Sequence, residues 1–95
     1  MEIKECDGKL VCPLEGHFDT VRSQELEALL RAHPASAQAV EFQMQGVTYV
    51  CSAFLRVCVF TARSCGPGRF TLQGITPPIK RVFSIAGLSS LLGCD

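Results

Sequence analysis

A thiol and a hydroxyl stand side by side at Cys51-Ser52. They separate a β-branched and aromatic run (Val47, Thr48, Tyr49, Val50) from an almost unbroken apolar stretch through Val57, Cys58, Val59 and Phe60. The first run reads as a buried strand, in which Thr48 is a strand residue. The second is too long for one strand and has no Gly or Pro before Gly66, so it reads as a helix. Cys51-Ser52 is then a strand-to-helix junction, with Ser52 suited to the N-cap because its hydroxyl can accept an amide hydrogen bond from the first turn. Junctions of this kind lie at the carboxyl edge of an α/β sheet, where ligands and modifications collect. Cys51, beside helix amides that lower a thiolate pKa, can serve as a redox sensor or a thiol nucleophile.

The neighbours narrow these chemistries. A cysteine-dependent phosphatase needs Cys, five residues and then Arg, but Arg56 follows Cys51 after four residues and Arg63 follows Cys58 after four. No His or Asp on the helix is spaced to activate the thiol. The seven-residue spacing of Cys51, Cys58 and Cys65 is that of one helix face and reads as core packing. There is no Cys-x-x-Cys, so no metal site is expected. His17 and His33 lack Cys or acidic partners at a ligand spacing and read as surface residues, and Asp19 reads as a helix cap.

The elements that would position these groups follow from pattern. Ile3 to Cys6 alternates, Asp7-Gly8 is a hairpin turn signal, and Leu10 to Leu14 forms the returning strand. Pro13 donates no amide, which places it at a strand end, an edge or a bulge. Gly16 to Asp19 closes that strand, and Asp19 or Thr20 caps a helix over about Val21 to Ala32. Its apolar face is expected at Val21, Leu26, Ala28, Leu29 and Leu30, with Arg22, Gln24, Glu25 and Arg31 pointing away. Pro34 ends it before the short loop through Gln38. Val40 to Met44 alternates as a strand, interrupted by Gly46. The helix from Ser52 stops near Cys65 at Gly66-Pro67-Gly68, and Arg69 to Gln73 is a further strand. Thr76 caps a last helix with Pro77 in its first turn, Ile79, Val82, Phe83 and Ala86 on one stripe, and Gly87 at its end. Leu88 to Leu92 adds one more turn. The order β-β-α-β-α-β-α describes a small α/β domain spanning 1–95, a mixed sheet of four to five strands with three to four helices on one face or both.

Composition limits the function. Nine Lys and Arg balance nine Asp and Glu, and Lys80-Arg81 is the only adjacent basic pair, so no concentrated basic face is available for nucleic acid. Little self-repulsion favours association with other proteins and leaves a homodimer open. No segment approaches the roughly 20 apolar residues that span a bilayer, and the charged start Met1-Glu2-Ile3-Lys4-Glu5 is unlike a secretory signal. Both point to the cytoplasm, with no membrane insertion. Of the six cysteines, Cys12, Cys51, Cys58 and Cys65 lie in or beside apolar segments, which favours reduced, buried thiols over a disulfide framework.

These pieces resemble a known family. Leu14-Glu15-Gly16-His17-Phe18-Asp19 resembles the Leu-x-Gly-x-hydrophobic-Asp element of STAS domains, the anti-sigma factor antagonist family. Val40 to Val50 looks like that family's central strand. Ser52 to Val57 falls where it carries Asp-Ser-Ser-Gly-Leu or a close variant. Phe70-Thr71-Leu72, then Thr76 to Phe83 and Gly87-Leu88, match its last strand and closing helix. The resemblance implies a domain without catalytic activity or cofactor, whose bacterial members bind an anti-sigma factor that is also a serine kinase. Phosphorylation of a Ser or Thr at the helix start blocks that capture, and a phosphatase restores it. Residue by residue, Asp19 matches the acidic residue after the second strand. Gln43 stands where the central strand usually has Asp, and Cys51 where Asp usually opens the phosphosite. Ser52 matches the first hydroxyl residue, the customary acceptor falls on Ala53, and Phe54 replaces a Gly. Ala53 cannot be phosphorylated, which leaves Ser52 as the candidate acceptor and Thr48 as a minor one. A STAS accessory subunit of a lipid-transport ABC assembly is the alternative within the fold.

Beyond the junction, Ser52, Arg56, Phe60 and Arg63 share one stripe, while Leu55, Cys58, Val59 and Ala62 suffice to face the core. Phe54 and Phe60 are therefore expected to be partly exposed, flanked by Arg56 and Arg63. Aromatic residues with Arg make a protein-binding surface. The expected partner-binding set is Asp19, Cys51, Ser52, Ala53, Phe54, Arg56, Phe60 and Arg63.

Overall fold

A computed structural model of the chain describes residues 3–6, 8–32, 39–66 and 68–92, with the side chains of Cys6 and Leu92 excepted. The expected turn residue Asp7, His33, the loop 34–38 and Pro67 lie outside the described residues. Strand β1 (Lys4–Cys6) pairs antiparallel with β2 (Lys9–Phe18), from Lys4 opposite Val11 to Cys6 opposite Lys9. Helix α1 (Thr20–Ala32) carries the chain to β3 (Ala39–Val50), which runs parallel to β2. Helix α2 (Ser52–Cys65) then leads to β4 (Phe70–Gln73), parallel to β3. The sheet order is β1-β2-β3-β4, and α3 (Pro77–Ile85) with a short 3-10 turn (Ser89–Leu92) closes the chain. Two successive right-handed crossovers in one direction place α1 and α2 on the same face of the sheet.

The buried residues record this single covered face. Leu10, Cys12, Leu14 and Phe18 of β2 and Val40, Phe42, Met44, Val47 and Val50 of β3 point into one core with Leu26 and Leu30 of α1 and Ile79 and Phe83 of α3. The opposite face carries polar contacts instead. Lys9 Nζ lies 2.7 Å from Glu41 Oε1, Gln43 Nε2 donates to Glu41 Oε2 at 3.1 Å, and the His17 and Tyr49 rings stack at 4.1 Å.

β3 is one strand, not a strand broken at Gly46. Its inward residues follow at steps of two as far as Met44, and then at steps of three, to Val47 and Val50. Two register shifts against β2, between Pro13 and Glu15 and between Gly16 and His17, each insert an additional β3 residue. Such bulges re-aim the strand without ending it. Pro13 sits at the first of them, where a missing amide leaves no ladder bond open. β2 closes at Phe18, inside the expected range, and Gly16 lies within it at a φ of +82°, where a Cβ would approach Arg22 Nη1 to 3.0 Å.

The buried face of α1 is Ser23, Leu26 and Leu30, spaced i, i+3, i+7, while Val21 is 62% exposed and Ala28 lies in solvent. The small hydroxyl of Ser23 fits inside because its Oγ donates to Asp19 O at 2.7 Å. At the other end of the chain, α3 starts from Thr76 with Pro in its first turn. It ends where Leu88 N–H bonds Phe83 O and Gly87 N–H bonds Ser84 O, the two bonds of a Schellman motif with Gly87 at a φ of +77°.

Candidate functional site at the carboxyl edge of the sheet

Phe18 pairs with Val50, so β2 and β3 end level and α1 and α2 begin side by side. Asp19 Oδ1 accepts the Arg22 amide at 3.0 Å, capping α1 as its side chain predicts. Ser23, bonded to Asp19 O, also lies 3.9 Å from Cys51 Sγ. The edge thus brings Asp19, Ser23, Cys51 and Ser52 together.

The cap of α2 differs from expectation by one residue. Cys51 holds the extended N-cap conformation, at φ −118° and ψ 177°, and its carbonyl accepts the Leu55 amide at 3.1 Å. Ser52 is the first helical residue, exposed, and Ala53 behind it is half-buried. Partial burial raises the Cys51 thiol, but the Phe54 amide, the Ser23 hydroxyl, the Ala53 amide and the Thr20 hydroxyl outweigh it, and the net direction is down. The sulfur closes no cap hydrogen bond to those amides, so their pull is that of oriented N–H dipoles. Cys58 is pushed up by burial alone and Cys12, up to about 12, by burial and then by Cys65. Cys65 rises by burial, with Arg69 opposing. All four are free thiols.

Phe54 is not exposed. It is fully buried, its ring 5.1 Å from Phe18 and 6.1 Å from Phe42, and Phe42 meets Phe70 edge-on at 5.0 Å. The buried stripe of α2 is Phe54, Val57, Cys58, Thr61 and Cys65, and Leu55, Val59 and Ala62 flank it half-buried. Thr61 is accommodated by donating its Oγ1 hydrogen to Val57 O at 2.7 Å. Arg56, Phe60 and Arg63 do face solvent, with Phe60 42% exposed. Arg63 lies eleven residues, about 16 Å, along the helix from Ser52, and Arg56 one turn, about 6 Å, so this outer face runs away from the edge.

Arg22 also departs from expectation. Its guanidinium folds back over the Phe18 ring at 4.3 Å and donates from Nη1 to Glu15 O at 2.6 Å. The four-residue step from Phe18 was the available signal. Gln43 lies on the open sheet face with Glu41, away from the edge. Among the described residues there is no cluster of metal-ligating side chains, and no helix is long and apolar enough to cross a membrane.

No family model matches the chain. Three solved structures share its architecture almost end to end. The anti-sigma factor antagonist SpoIIAA in its unphosphorylated form aligns over 96% of this chain and 84% of its own, at a TM-score of 0.83 and 16% identity. The chain folds as a STAS domain. The Bacillus cell fate determinant SpoIIAA in its phosphorylated form superposes on this chain at a TM-score of 0.76 and 17% identity, over 96% of this chain and 86% of its own. An anti-sigma factor antagonist from Mycobacterium paratuberculosis does so at 0.80 and 22% identity, over 97% and 80%. By sequence, the domain is 28% identical over 94 residues to BtrV of Bordetella bronchiseptica, provisionally named an anti-sigma factor antagonist. That match covers 96% of this chain and 81% of BtrV.

Proposed function

We propose that this STAS domain is an anti-sigma factor antagonist. It binds an anti-sigma factor that is also a serine kinase, stoichiometrically and without chemistry of its own, in a bacterial cytoplasm. The observation that carries this reading is the end-to-end likeness to BtrV, joined to a fold shared with SpoIIAA. The contact set is Asp19, Cys51, Ser52 and Ala53 at the edge and Arg56, Phe60 and Arg63 on the outer face of α2. Phe54 supports that set from within the core.

Ala53 fills the customary acceptor position, and Ser52 takes over the switch. A phosphate on Ser52 would sit at the first residue of α2, where helix amides favour it, and place close to two negative charges on the binding edge. The test mixes the purified chain with the anti-sigma factor kinase of its own bacterium and reads the complex by native mass spectrometry. A one-to-one complex that weakens with Ser52→Asp is expected, and no complex would overturn the reading. Radiolabelled ATP supplied to the same mixture should label wild type and not Ser52→Ala; equal labelling would remove Ser52 as acceptor. The lowered pKa of Cys51 favours a second reading, a thiol sensor at the same edge, which the labelling order of the cysteines tests below.

A further inference from the structure

We propose that the outer face of α2, completed by Arg31 of α1, docks an acidic protein segment that carries an apolar stripe between its carboxylates. This deepens the binding reading above by stating the partner's chemistry. Arg56, Phe60 and Arg63 stand at i, i+4 and i+7, one stripe with about 10 Å between the arginines along the axis. Phe60 remains 42% exposed although the Arg31 guanidinium lies 4.9 Å from its centroid. Arg31 is fixed there by two hydrogen bonds to Glu27 Oε2, at 3.0 and 2.6 Å.

Charge identifies the occupant. Among the described residues neither Arg56 nor Arg63 forms an ion pair, and α2 contains no acidic residue. Of the three arginines only Arg31 is paired, with Glu27, so these four side chains sum to a net charge of +2. Glu25 lies about 200° around α1 from Glu27 and does not reach the patch. A second copy docked through the same face would set Arg56 and Arg63 against their own equivalents. The chain as a whole, with nine basic and nine acidic residues, offers no extended track for a nucleic-acid backbone. An aromatic anchor rimmed by unpaired arginines fits a segment with carboxylates on either side of an apolar residue.

The probe is a fluorescein-labelled synthetic helical peptide with glutamates seven residues apart flanking leucines, read by fluorescence anisotropy against the full chain. Its controls are the same peptide with lysine for glutamate and a single-stranded oligonucleotide. The acidic peptide should bind saturably and weaken as salt is raised, and the lysine peptide should not bind. Arg56→Glu with Arg63→Glu should cost the acidic peptide about tenfold in affinity, and Phe60→Ala should weaken it too. Both arginines are exposed, and an unchanged thermal midpoint would confirm that the double variant is folded. Failure of the acidic peptide to bind, or equal affinity for wild type and double variant, would overturn the proposal. So would an oligonucleotide that binds as tightly, or a dimer in ultracentrifugation that the double variant abolishes. The assay contains no anti-sigma factor, so its failure leaves the broader binding reading to its own test.

Discussion

Truncating Phe54 to Ala should bring this domain close to unfolding. The ring is fully buried at the start of α2 and meets Phe18 of β2 and Phe42 of β3 at centroid distances of 5.1 and 6.1 Å. It therefore ties the first turn of α2 to both long strands. Burial of a whole phenylalanine side chain contributes roughly 1.5–3 kcal/mol. Each aromatic pair adds about 0.5–1.5 kcal/mol. With the cavity left behind, the loss falls in the range of about 3–5 kcal/mol typical of Phe→Ala in cores. A small domain has only about 5–15 kcal/mol in hand, so the variant keeps a fraction of its stability. Urea unfolding followed by far-UV circular dichroism reads this as a fall in the midpoint at constant slope. Phe60→Ala, whose ring is partly in solvent, should cost about 1 kcal/mol or less. If Phe54→Ala loses under about 1 kcal/mol, or Phe60→Ala loses more than Phe54→Ala, α2 is rolled differently on the sheet and Phe54 is not its anchor.

Asp19→Ala removes the α1 cap and should cost about 1 kcal/mol, with Asp19→Asn retaining most of it; an unchanged thermal midpoint for the alanine variant would contradict the cap. Iodoacetamide at neutral pH, with peptides read by mass spectrometry, should modify Cys51 ahead of Cys12, Cys58 and Cys65, because Cys51 alone among these has a lowered pKa. Uniform slow labelling would dispose of the thiol-sensor reading. The three raised thiols also set an alkaline limit. A group whose folded pKa is raised contributes stability that is whole below its unfolded pKa and lost as pH climbs through the folded one, here from 9.0 towards about 12 for Cys12. Cys51 acts with the opposite sign but is one group against three. The urea midpoint should therefore hold below about pH 9 and fall above it, and a midpoint that stays flat to about pH 11 would be the contrary result.

Much of the fold is legible from pattern because local chemistry decides it. Pro77 and Gly87 bracket α3 with the backbone angles that they supply cheaply, and Asp19 caps α1 with a side-chain oxygen on the Arg22 amide. The element order and the mixed sheet follow from the same punctuation. What pattern misses depends on tertiary register. The steps of three at Met44, Val47 and Val50 come from bulges against β2, invisible in β3 alone. On α2, both the cap and the whole buried stripe lie one residue earlier than read, at Cys51 rather than Ser52 and at Phe54 rather than Leu55. One residue is about 100° of helix rotation, enough to carry a phenylalanine from the surface to the core. The apolar residues on several sides of α2 leave that phase undetermined until Phe18 and Phe42 of the sheet receive the ring. At the edge, Cys51 and Ser52 stand out by residue type, and Asp19 by type only as a helix cap. Ser23 and Arg22 do not, since Ser23 reaches Cys51 only once α1 and α2 lie side by side and Arg22 folds back on Phe18 and Glu15 O, contacts that polarity alone does not announce.

Antagonism by capture predicts that the chain, titrated into a preformed complex of the anti-sigma factor with its sigma factor, frees the sigma factor, which size-exclusion chromatography follows. Release that completes at one chain per anti-sigma factor, and that Ser52→Asp blunts, is the predicted result. A sigma factor that stays bound at excess chain, with the chain itself eluting free, would contradict antagonism by capture.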